Sequence, residues 1–235
     1  MLIILFCERI HNMKTKHACC TLLTVLLCGC SQVAEPPPLP PEIAAPHQEI
    51  VDSFLRGERA QFSSVGIPDV LGLKVTLDYP KRWGTHEGKR RTIVRRFAGQ
   101  GFGGILPQCM LQVYPLPQAF LDNLPPDRSS FVFSRVHVHD MLPKGATLVK
   151  YNTTQLERCP AVFVDFTATH ERAGIKIYSR FSSLKVIVKD KMITYGLQVA
   201  GEFGKDELVD GVFSIYEPCF RSMVNSMVIH DRWIE

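Results

Sequence analysis

Few residues of this chain have the types and spacing that chemistry needs. The first group is His137-Val138-His139-Asp140. On a strand, residues two apart share a face, so His137 and His139 would converge and present two imidazoles to zinc or copper. On a helix they would point about 200° apart and the site would vanish. Val, Phe and His between 128 and 141 favour a strand, which leaves both geometries open. Two histidines fall short of a metal's ligand set, so the reading adopted is surface histidines beside a core, with no metal or other cofactor. A thiol nucleophile at Cys109 with His137 or His139 as base is the other chemistry the residue types allow. Nothing in the sequence positions a third group to orient that base.

The basic run Lys81, Arg82, Lys89, Arg90, Arg91, Arg95 and Arg96 is the next group. It could meet anionic lipid heads or an acidic partner. Glu87 interrupts it, and strand alternation sends Arg95 and Arg96 to opposite faces, so a solvated edge that resists strand-to-strand association is the simpler reading. Three other strings lack their context. Gly99 to Gly104 spells GxGxxG, but Ile105-Leu106-Pro107 follows instead of a helix. Lys205 to Leu208 spells KDEL inside the chain, where no retrieval receptor reads it. Asn152-Thr153-Thr154 is a sequon, which has meaning only in a secretory pathway that glycosylates asparagine.

The elements that must position these residues follow an N-terminal leader. Five of the eight cysteines fall in the first thirty residues of the 235. From Met13, Lys14 and Lys16 form a basic start, and Ala18 to Cys28 is a short apolar stretch centred on Leu22, Leu23, Val25, Leu26 and Leu27. That order is a secretory signal peptide over 1–29, too short to span a membrane as a folded helix. Its end, Leu27-Cys28-Gly29-Cys30, resembles the bacterial lipobox. Leu27, Gly29 and Cys30 match, while Cys28 stands where Ser, Ala or Thr is usual. The resemblance implies a diacylglyceryl thioether on Cys30 and cleavage before it. Two or three acyl chains then give stable anchoring where one gives only marginal binding. An ordinary secretory signal with Cys30 left as a thiol is the alternative. Ser31, following the cysteine in place of Asp, implies the outer membrane facing the periplasm in a Gram-negative host.

Residues 30–48 are expected to be the lipidated cysteine and a proline-rich tether, with six prolines between Pro36 and Pro46 and no helical or strand period. Residues 49–235 are expected to form one domain. Loss of Arg9, Lys14, Lys16 and Glu8 with the leader lowers the net charge from +4 to +2. Either value is too small to argue for nucleic acid. Of the cysteines beyond Cys30, an oxidising compartment permits one disulfide and leaves one thiol. Spacing does not choose the pair. Cys159 with Cys219 is the pairing adopted, with Cys109 as a small buried hydrophobe in a strand.

Alternating Leu73, Val75, Leu77 and Tyr79 predicts a strand over 73–79 that Pro80 stops. Further strands are expected over 92–98, 110–116, 146–151, 161–169, 175–188 and 192–200, the last two joined by a hairpin turn at Lys189-Asp190-Lys191. A short helix is expected at 119–124 and an amphipathic one at 212–226. Strands dominate and most connections are hairpin-like, which predicts an α+β domain, an antiparallel sheet covered by helices.

The opening turn Val75, Leu77, Tyr79, Pro80, Trp83 and the closing helix Phe213 to Ser226 resemble those of PsbP-like domains, the family of the photosystem II extrinsic protein P. Cys159 departs from the pattern, where relatives often have Gly. The resemblance implies the same layered fold, a helix in place of a strand around 128–141, and a binding or assembly role without assigning a functional residue. The expected function is therefore a membrane-anchored envelope lipoprotein acting as a non-enzymatic module. Its partners would be the membrane, through the anchor, and a protein, lipid or glycan of the envelope. The alternative is a metal- or thiol-dependent hydrolase.

Residues 1–12 fit a signal peptide's start poorly, because Met1 to Phe6 is apolar and Glu8 acidic. Translation is expected to begin at Met13. Mass spectrometry of the unprocessed precursor should find no peptide upstream of Met13, and one such peptide would refute that start.

Overall fold

A computed structural model of the chain describes residues 38–67 and 71–230. The expected leader over 1–29, Cys30 and residues 31–37 lie outside the described residues, and one compact unit begins at Pro38. It opens with a helix, α1 (Pro41–Leu55), not with extended spacer. The expected tether is thus corrected over 41–48. Pro41 sits at the start of the helix, where its absent N–H costs nothing and its fixed φ is already helical. Pro46 sacrifices one backbone bond inside the helix. Against that loss, Ile43, His47, Ile50, Val51 and Phe54 recur at three- and four-residue steps and are all buried.

Among the described residues, ten strands follow in two antiparallel sheets. The small one has the order β1-β2-β10, from β1 (Arg59–Ser63), β2 (Val75–Pro80) and β10 (Val228–Ile229). The seven-stranded one has the order β3-β4-β5-β9-β8-β7-β6. Its members are β3 (Gly84–His86), β4 (Ile93–Ala98), β5 (Leu106–Pro115), β6 (Thr147–Leu156), β7 (Cys159–Arg172), β8 (Ile175–Val188) and β9 (Lys191–Glu202). Two of the hairpins turn on adjacent residues with positive φ, Glu157-Arg158 (51° and 72°) and Ala173-Gly174 (52° and 78°). Such turns match the right-handed strand twist. The α+β architecture, an antiparallel sheet covered by helices, is the one the element order implies.

Period-2 alternation gives the large sheet two unlike faces. On one, Cys109, Leu111, Leu184, Val186, Ile193, Tyr195 and Leu197 meet the last helix, α4 (Asp206–Asn225). Its buried stripe is Val209, Val212, Phe213, Tyr216, Cys219, Phe220, Met223 and Val224. Helix α1 packs beside α4. A Cβ added at Gly211 of α4 would lie 2.7 Å from Leu39 Cδ2, so the leucine side chain seats closely on this glycine. Val75, Leu77 and Trp83 are buried in this core, with Trp83 tilted onto Tyr216.

The other face carries a smaller core. The long β5–β6 crossover contains α2 (Gln118–Leu121) and α3 (Arg135–Asp140). It lays Leu116, Phe133 and Val138 over Val162, Val164, Phe166, Ile187 and Met192. Cover stops there, and the rest of this face is open.

His47 shows how fully α1 belongs to the core. It is completely buried; its Nδ1 lies 3.2 Å from the Tyr216 hydroxyl and its Nε2 has no hydrogen-bond partner. Burial pulls its pKa down from 6.5 to about 4. The folded state thus holds a neutral ring while the unfolded chain takes up a proton near 6.5. Stability is complete above that pH and falls as pH drops toward 4, by up to about 3 kcal/mol. Denaturant unfolding between pH 7 and 4 should show this loss, and His47→Gln should remove it.

Candidate functional site

Helix α3 settles the histidine geometry. Ser134 caps it: its Oγ accepts from the His137 N–H at 3.3 Å, and its own N–H donates to His137 Nδ1 at 3.1 Å. The His137 ring packs against Phe120 and Phe131, with centroids 5.8 and 5.2 Å away. His139 instead lines a shallow groove with Arg135 and residues 146–151. The helix therefore separates the two imidazoles, as its 3.6-residue period requires. Among the described residues no cluster of three or more His, Cys, Asp or Glu could hold a metal ion.

The thiols are placed by packing. Cys109 is fully buried in β5, and burial raises its pKa well above the ordinary thiol value. Cys219 lies in mid-α4, its sulfur 3.9 Å from Met223 Sδ, and burial pushes its pKa up to about 12. Neither offers the thiolate that a nucleophile needs. Cys159 begins β7 beside the Glu157-Arg158 turn. The expected Cys159–Cys219 disulfide is not formed: one partner starts a strand at a hairpin turn, and the other is packed inside a helix face.

The basic run is dispersed. Arg82 pairs with Glu49 at 2.8 Å, Arg95 lies over the Phe62 ring at 5.5 Å, and Lys81, Lys89, Arg90, Arg91 and Arg96 are exposed at the β2–β3–β4 end. Lys150, Asp165, Glu217 and Arg221 form a chain of ion pairs of 3.1–3.8 Å that ties β6 and β7 to α4.

Where the crossover's cover ends, the open sheet face forms a cleft of about 380 Å³. Its floor is two cross-strand rows. One is Gln112, Thr194 and Lys185, paired in register across β5, β9 and β8. The next is Met110, Gly196 and Ser183. The walls are Tyr114 and the Phe166–Phe181 pair, stacked with centroids 4.5 Å apart and planes within 6°. Met141 and Pro143, which follow α3, overhang it. Gly196 keeps the floor hollow, since a Cβ there would come within 3.2 Å of Ser183 Cβ. A glycine inside a strand commonly marks such a close approach.

Lys185 is the exceptional group. Its side chain is 7% exposed, and no carboxylate among the described residues pairs with it. Burial alone lowers its pKa from 10.5 to about 8. Residues 182–188, SSLKVIV, are all buried. The sequence signal for the site was thus a lone lysine inside the otherwise uncharged strand run 182–188, a pattern that catalytic motifs do not include.

The ammonium is disfavoured in the fold relative to the unfolded chain, so it lowers stability at neutral pH. Stability recovers as pH rises from 8 to 10.5, where the folded protein has lost the proton and the unfolded one still holds it. Relative to Lys185→Met, the native protein should gain about 3 kcal/mol over that window. The variant should also be the more stable of the two at pH 7. Chemical denaturation at pH 7, 9 and 10.5 would measure both.

No known family profile matches the chain, and no curated protein does. Among solved structures, it is similar to LpqN of Mycobacterium tuberculosis, described as involved in cell envelope biogenesis. That likeness covers 77% of this chain and 96% of LpqN, with 10% identity and a TM-score of 0.37. It is also similar to the Ran-binding protein Mog1p of Saccharomyces cerevisiae, over 73% of this chain and 95% of that one, with 7% identity and a TM-score of 0.43. At these scores and identities neither likeness bears on what this chain does.

Proposed function

We propose that the protein is a membrane-anchored envelope lipoprotein whose folded unit is a binding module and not a catalyst. The observation that carries the binding role is the cleft on the open sheet face: a mostly apolar hollow with one largely buried lysine at its floor, unpaired among the described residues. Such a concave site with few polar groups is suited to holding a small molecule. The hydrolase alternative finds little support, because α3 parts His137 from His139 and burial keeps Cys109 protonated.

The anchor rests on Leu27-Cys28-Gly29-Cys30. Helix α1 takes up residues 41–48 of the stretch first expected to be tether. In a Gram-negative host, Ser31 assigns the anchor to the outer membrane and the module to the periplasm. There its partner would be a protein, lipid or glycan of the envelope.

Cell fractionation with mass spectrometry of the N-terminal peptide tests the anchor. The native protein should sediment with membranes and carry a diacylglyceryl mass on Cys30, and Cys30→Ala should lose both. A soluble native protein with an unmodified Cys30 would refute the anchored reading.

A further inference from the structure

We propose that the cleft around Lys185 binds a small amphiphile with a single carboxylate head, the Lys185 ammonium taking the head and the aromatic and methionine walls taking the apolar body. This deepens the binding-module reading and rests on it. A largely buried lysine ordinarily has a partner, and none of the ion pairs among the described residues includes Lys185. Its row neighbours Thr194 and Gln112, with Ser183 in the next row, add neutral hydroxyl and amide groups at the same end of the floor. Phe166, Phe181, Met110 and Met141 supply the apolar surface, and methionine adapts to irregular shapes.

The charge count selects the head. One ammonium faces the cleft, and the other lining residues carry no charge at neutral pH. A carboxylate balances it. A phosphate monoester, with about −1.5 to −2 charges at pH 7, would remain undercompensated. A volume of about 380 Å³ lies near the lower limit for small-molecule sites, roughly 300–1,000 Å³, so the body must be short.

Binding should also depend on pH. The free amine loses its proton near pH 8, so affinity for the anion should fall as pH rises above that value. Tyr114, from β5, is the other titratable group in the lining. Burial raises its pKa above 10, so it stays neutral through this range. The residues facing the cleft from β7, β9 and the overhanging segment do not titrate.

The probe is decanoate labelled with carbon-13 at its carboxyl, added to the full-length protein in phosphatidylcholine vesicles and followed by nuclear magnetic resonance. A protein-bound carboxyl resonance, distinct from the vesicle pool and saturating at one per chain, is expected at pH 7. Affinity should fall at least tenfold in Lys185→Met and by a similar factor at pH 9.5 in the native protein. Among shorter acids that fit, each added methylene should tighten binding about three- to fourfold. Decyl phosphate and decanol should compete poorly. Equal competition by decyl phosphate would overturn the carboxylate assignment, and equal competition by decanol would overturn the role of charge. No saturable resonance in a native protein that unfolds cooperatively would overturn the site itself. That last failure would leave the anchored reading untouched, because the state of Cys30 judges it separately. Thermal melting of Lys185→Met confirms that any loss of binding is not loss of fold.

Discussion

The contact between β9 and α4 holds the rest of the molecule in place. Tyr195 and Tyr216 are fully buried, Phe220 nearly so, and the Tyr195 hydroxyl rests 3.8 Å from Met223 Sδ. Burial of this area removes several large side chains from water at once, each contributing about 1.5–3 kcal/mol. A sheet with alternating faces that commits one face to a helix in this way leaves the other to be covered by something else. Here the β5–β6 crossover covers only part of it. The open remainder is a consequence of how far that crossover reaches.

The same packing decides which reactive groups keep their reactivity. Cys109 and Cys219 lie on the α4 side, where burial favours the protonated thiol. His47 is neutralised beside Tyr216, and His137 is occupied with Ser134 and two phenylalanines. Lys185 lies on the opposite face, where its strand neighbours Leu184 and Val186 point into the main core and its own side chain points at the cleft. The main core thus quenches its reactive groups, while Lys185 stands at the margin of the second core with no carboxylate beside it among the described residues.

The Pro-rich entry shows a competition between local and tertiary terms. Pro36 to Pro46 reads locally as extended chain. Ile43, His47, Ile50, Val51 and Phe54 form a stripe that is worth more against α4 than the backbone bond Pro46 forgoes. Propensity loses to packing over 41–48, and Leu39 already sits on Gly211 before the helix starts.

Much of the fold was legible. Alternation in 175–188 and 192–200, the turn between them, and the stripe from Val212 to Val224 named the sheet and its covering helix, because period and turn chemistry are local properties. The leader and the lipobox resemblance were likewise carried by short, contiguous residues. What the sequence left open depended on contacts between distant segments. Residues 128–141 were ambiguous between strand and helix until the Ser134 cap and the aromatic cluster set a short helix over Arg135–Asp140. Cys159 and Cys219 were candidates for a bond until one was placed at a hairpin and the other inside a helix face. The cleft needed the register of β5, β9 and β8 to put Gln112, Thr194 and Lys185 in one row. Register and cover are set by long-range pairing, so the amino-acid order alone determined most of the strands and the covering helix. Only the tertiary structure decided that a single lysine would stand unpaired at the floor of an open apolar hollow.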